Sequence, residues 1–112
     1  MSEEPQGWRM VAQIGDLPEA VLVEMAVGPQ RVVLLRRGGH VGAFQGLCPH
    51  QFARLVEGRV KDGWLHCPRH HACFSLADGH CGPGWVLPSL KRFAVKVADG
   101  RVMLSDPLVT LA

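Results

Sequence analysis

The stretch CPHQFARLVEGRVKDGWLHCPRH, residues 48–70, decides how the chain is read. It opens on Cys48-Pro49-His50 and closes on Cys67-Pro68-Arg69-His70, with sixteen residues between the two groups. Each group offers one thiolate and one imidazole, and in each a proline directly follows the cysteine. Soft sulfur with borderline nitrogen suits a transition metal; calcium and magnesium take oxygen instead. Two loops meeting in space would bring two sulfurs and two nitrogens to one centre.

Structural zinc is the plain competitor. Zinc sites usually place two cysteines two to four residues apart and pair their histidines later. Here cysteine and histidine alternate within each group, and a single residue separates the first two ligands. A zinc-stabilised binding module therefore stays as an alternative that fits the spacing less well.

Outward from this stretch the chain reads as strands and tight turns. Residues 8–14 alternate, with Trp8, Met10, Ala12 and Ile14 on one face and Arg9, Val11 and Gln13 on the other, the period of a half-buried strand. Asp16-Leu17-Pro18 ends that pattern. A second strand sets Val21, Val23, Met25 and Val27 opposite Leu22, Glu24 and Ala26, and Gly28-Pro29 turns the chain. Residues 31–37, RVVLLRR, form a continuous apolar run with basic ends. Gly38-Gly39, Asp62-Gly63 and Asp99-Gly100 each sit between two strand-like runs, the signal of a two-residue hairpin. No segment carries a 3.6-residue period, so the expected class is antiparallel all-β.

The order of parts suggests one domain over residues 1–112. Residues 8–46 and 91–105 read as a small barrel or sandwich base, and residues 47–90 as an insertion into it. That insertion holds all four cysteines and five of the six histidines. No internal repeat or low-complexity segment interrupts the pattern.

Composition excludes several classes. An apolar share of 47% fits a folded domain and argues against disorder. A net charge of +2, with no basic run, gives no reason to expect nucleic acid. No run approaches the ~18 apolar residues of a membrane span. The opening residues, MSEEPQGW, lack a secretory pattern, so the cytoplasm is the expected location. Cysteines in such a setting are ligands or free thiols before they are a disulfide framework.

The pattern CPH…L..G…CPRH…F…..G…GPG resembles the Rieske iron–sulfur family. Leu55, Gly58, Phe74 and Gly79 fall where that family has them. VLLRRGGHVGAFQGLCPH resembles its approach to the first ligand loop, Gly82-Pro83-Gly84 its proline loop, and LKRFAVKVADGRVML its closing hairpin. The resemblance covers about residues 8–105. It implies one [2Fe–2S] cluster, with Cys48 and Cys67 on the inner iron and His50 and His70 on the outer iron, through Nδ1. Two ferric ions, two sulfides and two thiolates sum to zero charge. Replacing two further thiolates by neutral imidazoles makes an added electron easier to accept, which raises the potential.

The resemblance also implies what tunes that potential. High-potential members join the two ligand loops by a disulfide, where this chain has Ala53 and Arg69. They place hydroxyl donors two and four residues after the second histidine, where this chain has Ala72 and Phe74, and it has no tyrosine at all. Without those donors the expected potential lies at the low end of the Rieske range, roughly −150 mV.

The function so implied is a low-potential ferredoxin, an electron carrier and not itself an enzyme. It would take single electrons from an NAD(P)H-dependent flavoprotein reductase and pass them to the terminal oxygenase of an aromatic-ring-hydroxylating system. The alternative within the family is the small subunit of an assimilatory nitrite reductase, held on its large subunit. Neither role involves a membrane.

Some residues fall outside the motif. His71 stands where the family often has glycine and reads as a solvated surface histidine. Cys73 reads as a small buried residue beside Phe74, and Cys81 as more exposed, with a local disulfide between them as a further option. Arg54, Arg69, Lys91 and Arg92 suggest a basic rim able to steer an acidic partner. His40, His66 and His80 read as strand or loop residues.

Overall fold

The computed structural model describes residues 7–49, 52–69 and 72–111. Nine strands form three antiparallel three-stranded sheets among them. β2 (Leu22–Val27), β3 (Gln30–Arg37) and β4 (His40–Gln45) make a meander. β1 (Trp8–Gln13) pairs with β9 (Arg101–Ser105), which pairs with β8 (Val95–Ala98), so the two ends of the chain share one sheet. β5 (Arg59–Lys61), β6 (Trp64–His66) and β7 (Cys73–Ser75) form the third. All-β antiparallel architecture is therefore what the chain adopts.

The hairpin signals all close as two-residue turns. Arg37 pairs with His40, Lys61 with Trp64 and Ala98 with Arg101. Asp62 and Gly63 have φ of 53° and 82°, and Asp99 and Gly100 have 53° and 73°. Two successive positive φ values are what a type I′ turn needs, and Asp-Gly supplies them cheaply. Gly28-Pro29 also closes a two-residue loop, between Val27 and Gln30.

The apolar run of β3 lies between two cores. Val33 and Leu35 pack with Phe44, Cys48, Cys67 and Phe74, whereas Val32 and Leu34 pack with Phe93, Val102 and Leu104. Successive strand residues face opposite sides, so a strand apolar on both faces is one buried on both. One of those cores holds the two cysteines of the motif. The β2–β3–β4 meander meets the segment leading into β8 where Phe93 N–H donates to the Ala43 carbonyl at 2.8 Å and Phe44 bridges Arg92.

β1 departs from its expected alternation. Its register against β9 shifts between Met10 and Ala12, so Val11 is bulged out of the ladder. A bulge puts an extra residue on one strand and flips the faces beyond it. Trp8 and Met10 are consequently exposed, and Val11 with Ala12 faces the base core. Ile14 belongs to a short 3-10 turn, Ile14–Asp16, instead of the strand. Val21 likewise precedes β2 and is exposed.

Candidate metal centre

The two cysteine loops are built alike. Cys48 N–H donates to the Ala53 carbonyl at 2.8 Å, and Cys67 N–H donates to the Ala72 carbonyl at 2.8 Å. Each cysteine thus opens a six-residue turn closed five residues later by an alanine. The first turn follows β4 and is reinforced by a Leu47–Arg54 bridge and by Leu55 N–H on the Gly46 carbonyl at 2.9 Å. The second lies between β6 and β7, whose His66–Cys73 pair sits directly beneath it. Both cysteines, Ala53 and Ala72 are buried in the same apolar core.

Two close approaches shape this region, and the first sets the cysteine loops together. Gly58 ends the 3-10 turn Leu55–Glu57 that follows the first loop. A Cβ at Gly58 would stand 2.0 Å from the carbonyl oxygen of His66, the residue before Cys67. Glycine is therefore required by contact and not by its backbone angle. Gly79 combines both demands: φ is 82°, and an added Cβ would stand 2.1 Å from the Leu90 carbonyl oxygen. That contact folds the segment after β7 back on itself, with Leu90 N–H on the Gly79 carbonyl at 2.7 Å. An open groove of about 290 Å³ runs beside the site, lined by Glu57, Gly58, Arg59, His66, Cys67 and Pro68.

The segment holding Gly82-Pro83-Gly84 continues from β7. Ser75 N–H donates to the His80 carbonyl at 2.9 Å, Phe74 bridges Cys81, and Gly82 N–H donates to the Cys73 carbonyl at 2.8 Å. Beyond it Trp85 and Leu87 pack on the core that contains Cys48 and Cys67. Cys81 shares the face of its bridge partner Phe74, while Cys73, next to Phe74 in the strand, points to the other. This opposition removes the local disulfide option, and both thiols are free. Cys73 is half-buried instead of enclosed, with its Sγ against Gly82.

Of the expected ligands, the structure places Cys48 and Cys67 and brings them into one core. His50, His70 and also His71 lie outside the described residues. The donor set fits a [2Fe–2S] cluster: two thiols in twin turns, walled from water by Leu55, Leu65 and Phe74, each with an imidazole two or three residues on. Ala53, Ala72 and Phe74 are all buried around the cysteines and carry no hydroxyl. No helix among the described residues is long and apolar enough to cross a membrane.

Supporting residues absent from the motif also emerge. Glu24 on β2 accepts from Arg54 Nη2 at 2.7 Å and from Arg31 Nη1 at 2.9 Å. The hydrogen bond from Arg54 is the main reason its carboxyl is held below the usual range; burial opposes that, and the charges of Arg54 and Arg31 add to it. Arg54 is thus paired with Glu24, and with Glu57 at 3.6 Å, so it does not serve as an open basic rim. Gln45 at the end of β4 is a second clamp. Its side chain donates to the Leu47 carbonyl and accepts from Lys91 N–H, each at 2.7 Å. Only the three-dimensional pairing reveals these two, since their partners lie up to 46 residues away.

The chain is 36% identical over 100 residues to the ferredoxin component of an alkene monooxygenase system from Xanthobacter autotrophicus, covering 88% of this chain and 81% of that one. It is 31% identical to the ferredoxin component of naphthalene 1,2-dioxygenase/salicylate 5-hydroxylase systems from a Ralstonia species, covering 88% and 95%. A solved complex of reduced oxygenase and oxidised ferredoxin in carbazole 1,9a-dioxygenase matches at a TM-score of 0.79 and 25% identity, covering 88% and 92%. The family model of the Rieske [2Fe-2S] domain matches residues 7–94, and the chain belongs to that family.

Proposed function

We propose that Cys48 and Cys67 hold one iron of a single [2Fe–2S] cluster and that His50 and His70 hold the other. The observation that carries this is the twin construction of the Cys48 and Cys67 turns within one apolar core. In this reading residues 8–46 and 91–105 are the scaffold, and residues 47–90 are the cluster-bearing insertion. The cluster, when bound, supplies one-electron redox chemistry. The chain's own residues keep water from the thiolates through Leu55, Leu65 and Phe74. Gly58 lets the loops approach, and Glu24 and Gln45 hold the first loop to the base.

The protein is a carrier in this account. It receives electrons from an NAD(P)H-dependent flavoprotein reductase in the cytoplasm and delivers them to an oxygenase, in our reading one that hydroxylates aromatic rings. The relatives named as ferredoxin components favour a carrier over the small subunit of a nitrite reductase. A reconstituted assay tests it: NADH, a flavoprotein reductase, the oxygenase of a naphthalene 1,2-dioxygenase system, and this protein. Product formation that depends on added protein is expected. No turnover, together with a stable complex with a nitrite reductase large subunit on gel filtration, would overturn the reading.

A further inference from the structure

Among the described residues, six large apolar side chains are exposed, and they divide by location. Trp8, Met10, Val21 and Leu111, in β1, before β2 and near the C-terminus, are 37–48% exposed. Phe52 is 73% and Val86 102% exposed, and both belong to the segments around the cysteines. Val86 stands between Trp85 and Leu87, which pack inward on the cysteine core, so it faces out. Single exposed apolar residues are ordinary. Concentration of the two most exposed on the ligand-bearing insertion is the informative part.

Phe52 carries a second mark. Its φ is 57°, the left-handed region, where a bulky residue is an outlier. Its amide donates to the Cys48 carbonyl at 2.8 Å, so the position is locked into the first ligand turn. Strain and solvent exposure both work against folding here, and the ring enters neither core. Strained positions of this kind gather at functional sites. The charged alternative is weakened, because Arg54 two residues on is occupied by Glu24 and Glu57.

We propose that Phe52, with Val86 as a second contact, is the apolar anchor on which the terminal oxygenase docks. The inference rests on the carrier reading above. One electron leaves the reduced protein and enters the oxygenase only when the acceptor closely approaches the ligand loops. Phe52 closes back on Cys48 through its amide and holds its ring in solvent, so a protein approaching the Cys48 turn meets the ring. Aromatic side chains, phenylalanine among them, are enriched at interface cores, and hot spots sit in well-packed, desolvated pockets.

The test compares Phe52→Gly, Val86→Ser and the unaltered protein, each loaded with its cluster. Steady-state reduction of the oxygenase of a naphthalene 1,2-dioxygenase system is followed, alongside the midpoint potential, thermal unfolding and reduction by the flavoprotein reductase. Phe52→Gly is expected to raise the KM for the carrier about tenfold. The kcat and the midpoint potential stay unchanged, and the unfolding temperature does not fall, because glycine accepts the positive φ. Val86→Ser raises the same KM less. An oxygenase KM unchanged in both variants overturns the anchor, as does a rise confined to the reductase. If the unaltered protein itself passes no electrons to the oxygenase, the carrier reading has failed instead.

Discussion

Glu24 and Arg54 are thirty residues apart in the chain and 2.7 Å apart in the fold, which fastens the first cysteine turn to strand β2. The carboxylate is 11% exposed and is shared with Arg31, so it is less screened than an ordinary surface pair. Its folded-state pKa is depressed below the ordinary value of 4.5, chiefly by the hydrogen bond from Arg54. A depressed carboxylate contributes stability that is complete above its unfolded pKa and is lost as pH falls through the folded one. Thermal unfolding of wild type and Glu24→Gln should therefore differ by a few degrees at neutral pH, and the gap should narrow in acid, closing only as pH falls through the depressed folded-state pKa. A gap that persists unchanged in acid would assign the stabilisation to packing instead.

Gly58 and Gly63 separate two reasons for glycine. Gly63 has φ of 82° with nothing within 4 Å of an added Cβ, so Gly63→Ala should cost only backbone strain, about 1–2 kcal/mol. Gly58→Ala adds a Cβ 2.0 Å from the His66 carbonyl oxygen and must push the two cysteine loops apart. It should cost roughly 3 kcal/mol or more. Denaturant unfolding gives the costs, and iron content of the purified protein should fall for Gly58→Ala alone.

Leu34 and Leu35 are adjacent, fully or almost fully buried, and belong to different cores. Leucine-to-alanine changes at either should cost about 2–5 kcal/mol. Leu35 shares its core with Cys48 and Cys67, whereas Leu34 packs with Val102 and Leu104. Cluster loss on mild heating, followed by visible absorbance, should be hastened more by Leu35→Ala than by Leu34→Ala.

These residues also show what could be read from the sequence. Hairpins at Gly38-Gly39, Asp62-Gly63 and Asp99-Gly100 were legible because a two-residue turn is local and demands particular residues. The cysteine turns were legible because ligand chemistry restricts residue type and spacing. The β1 bulge was not, since it depends on pairing with β9, some ninety residues away. The roles of Glu24 and Gln45 were not legible either, because Arg54 and Lys91 are brought to them only by the fold. Gly58 could be picked out as part of the motif, but the contact that requires it, with His66, is tertiary.

Ala72 offers a direct handle on the proposed redox site. It is fully buried in the cysteine core and closes the second turn by accepting from Cys67 N–H. With the cluster held by the proposed ligands, a hydroxyl there would donate to it and stabilise its more negative reduced form. Ala72→Ser should raise the midpoint potential by about 40 mV, the equivalent of a hydrogen bond near 1 kcal/mol for one electron. An unchanged potential with the cluster intact would show that the hydroxyl points elsewhere.

The midpoint potential of the unaltered protein, measured by protein-film voltammetry, bears most directly on the central claim. Two cysteines and two histidines without hydroxyl donors or a loop disulfide predict a value near the low end of the Rieske range, roughly −150 mV. A value near −400 mV would indicate four thiolates and so draw Cys73 and Cys81 into the site. A clearly positive value would contradict the low-potential carrier that Ala53, Arg69, Ala72 and Phe74 imply.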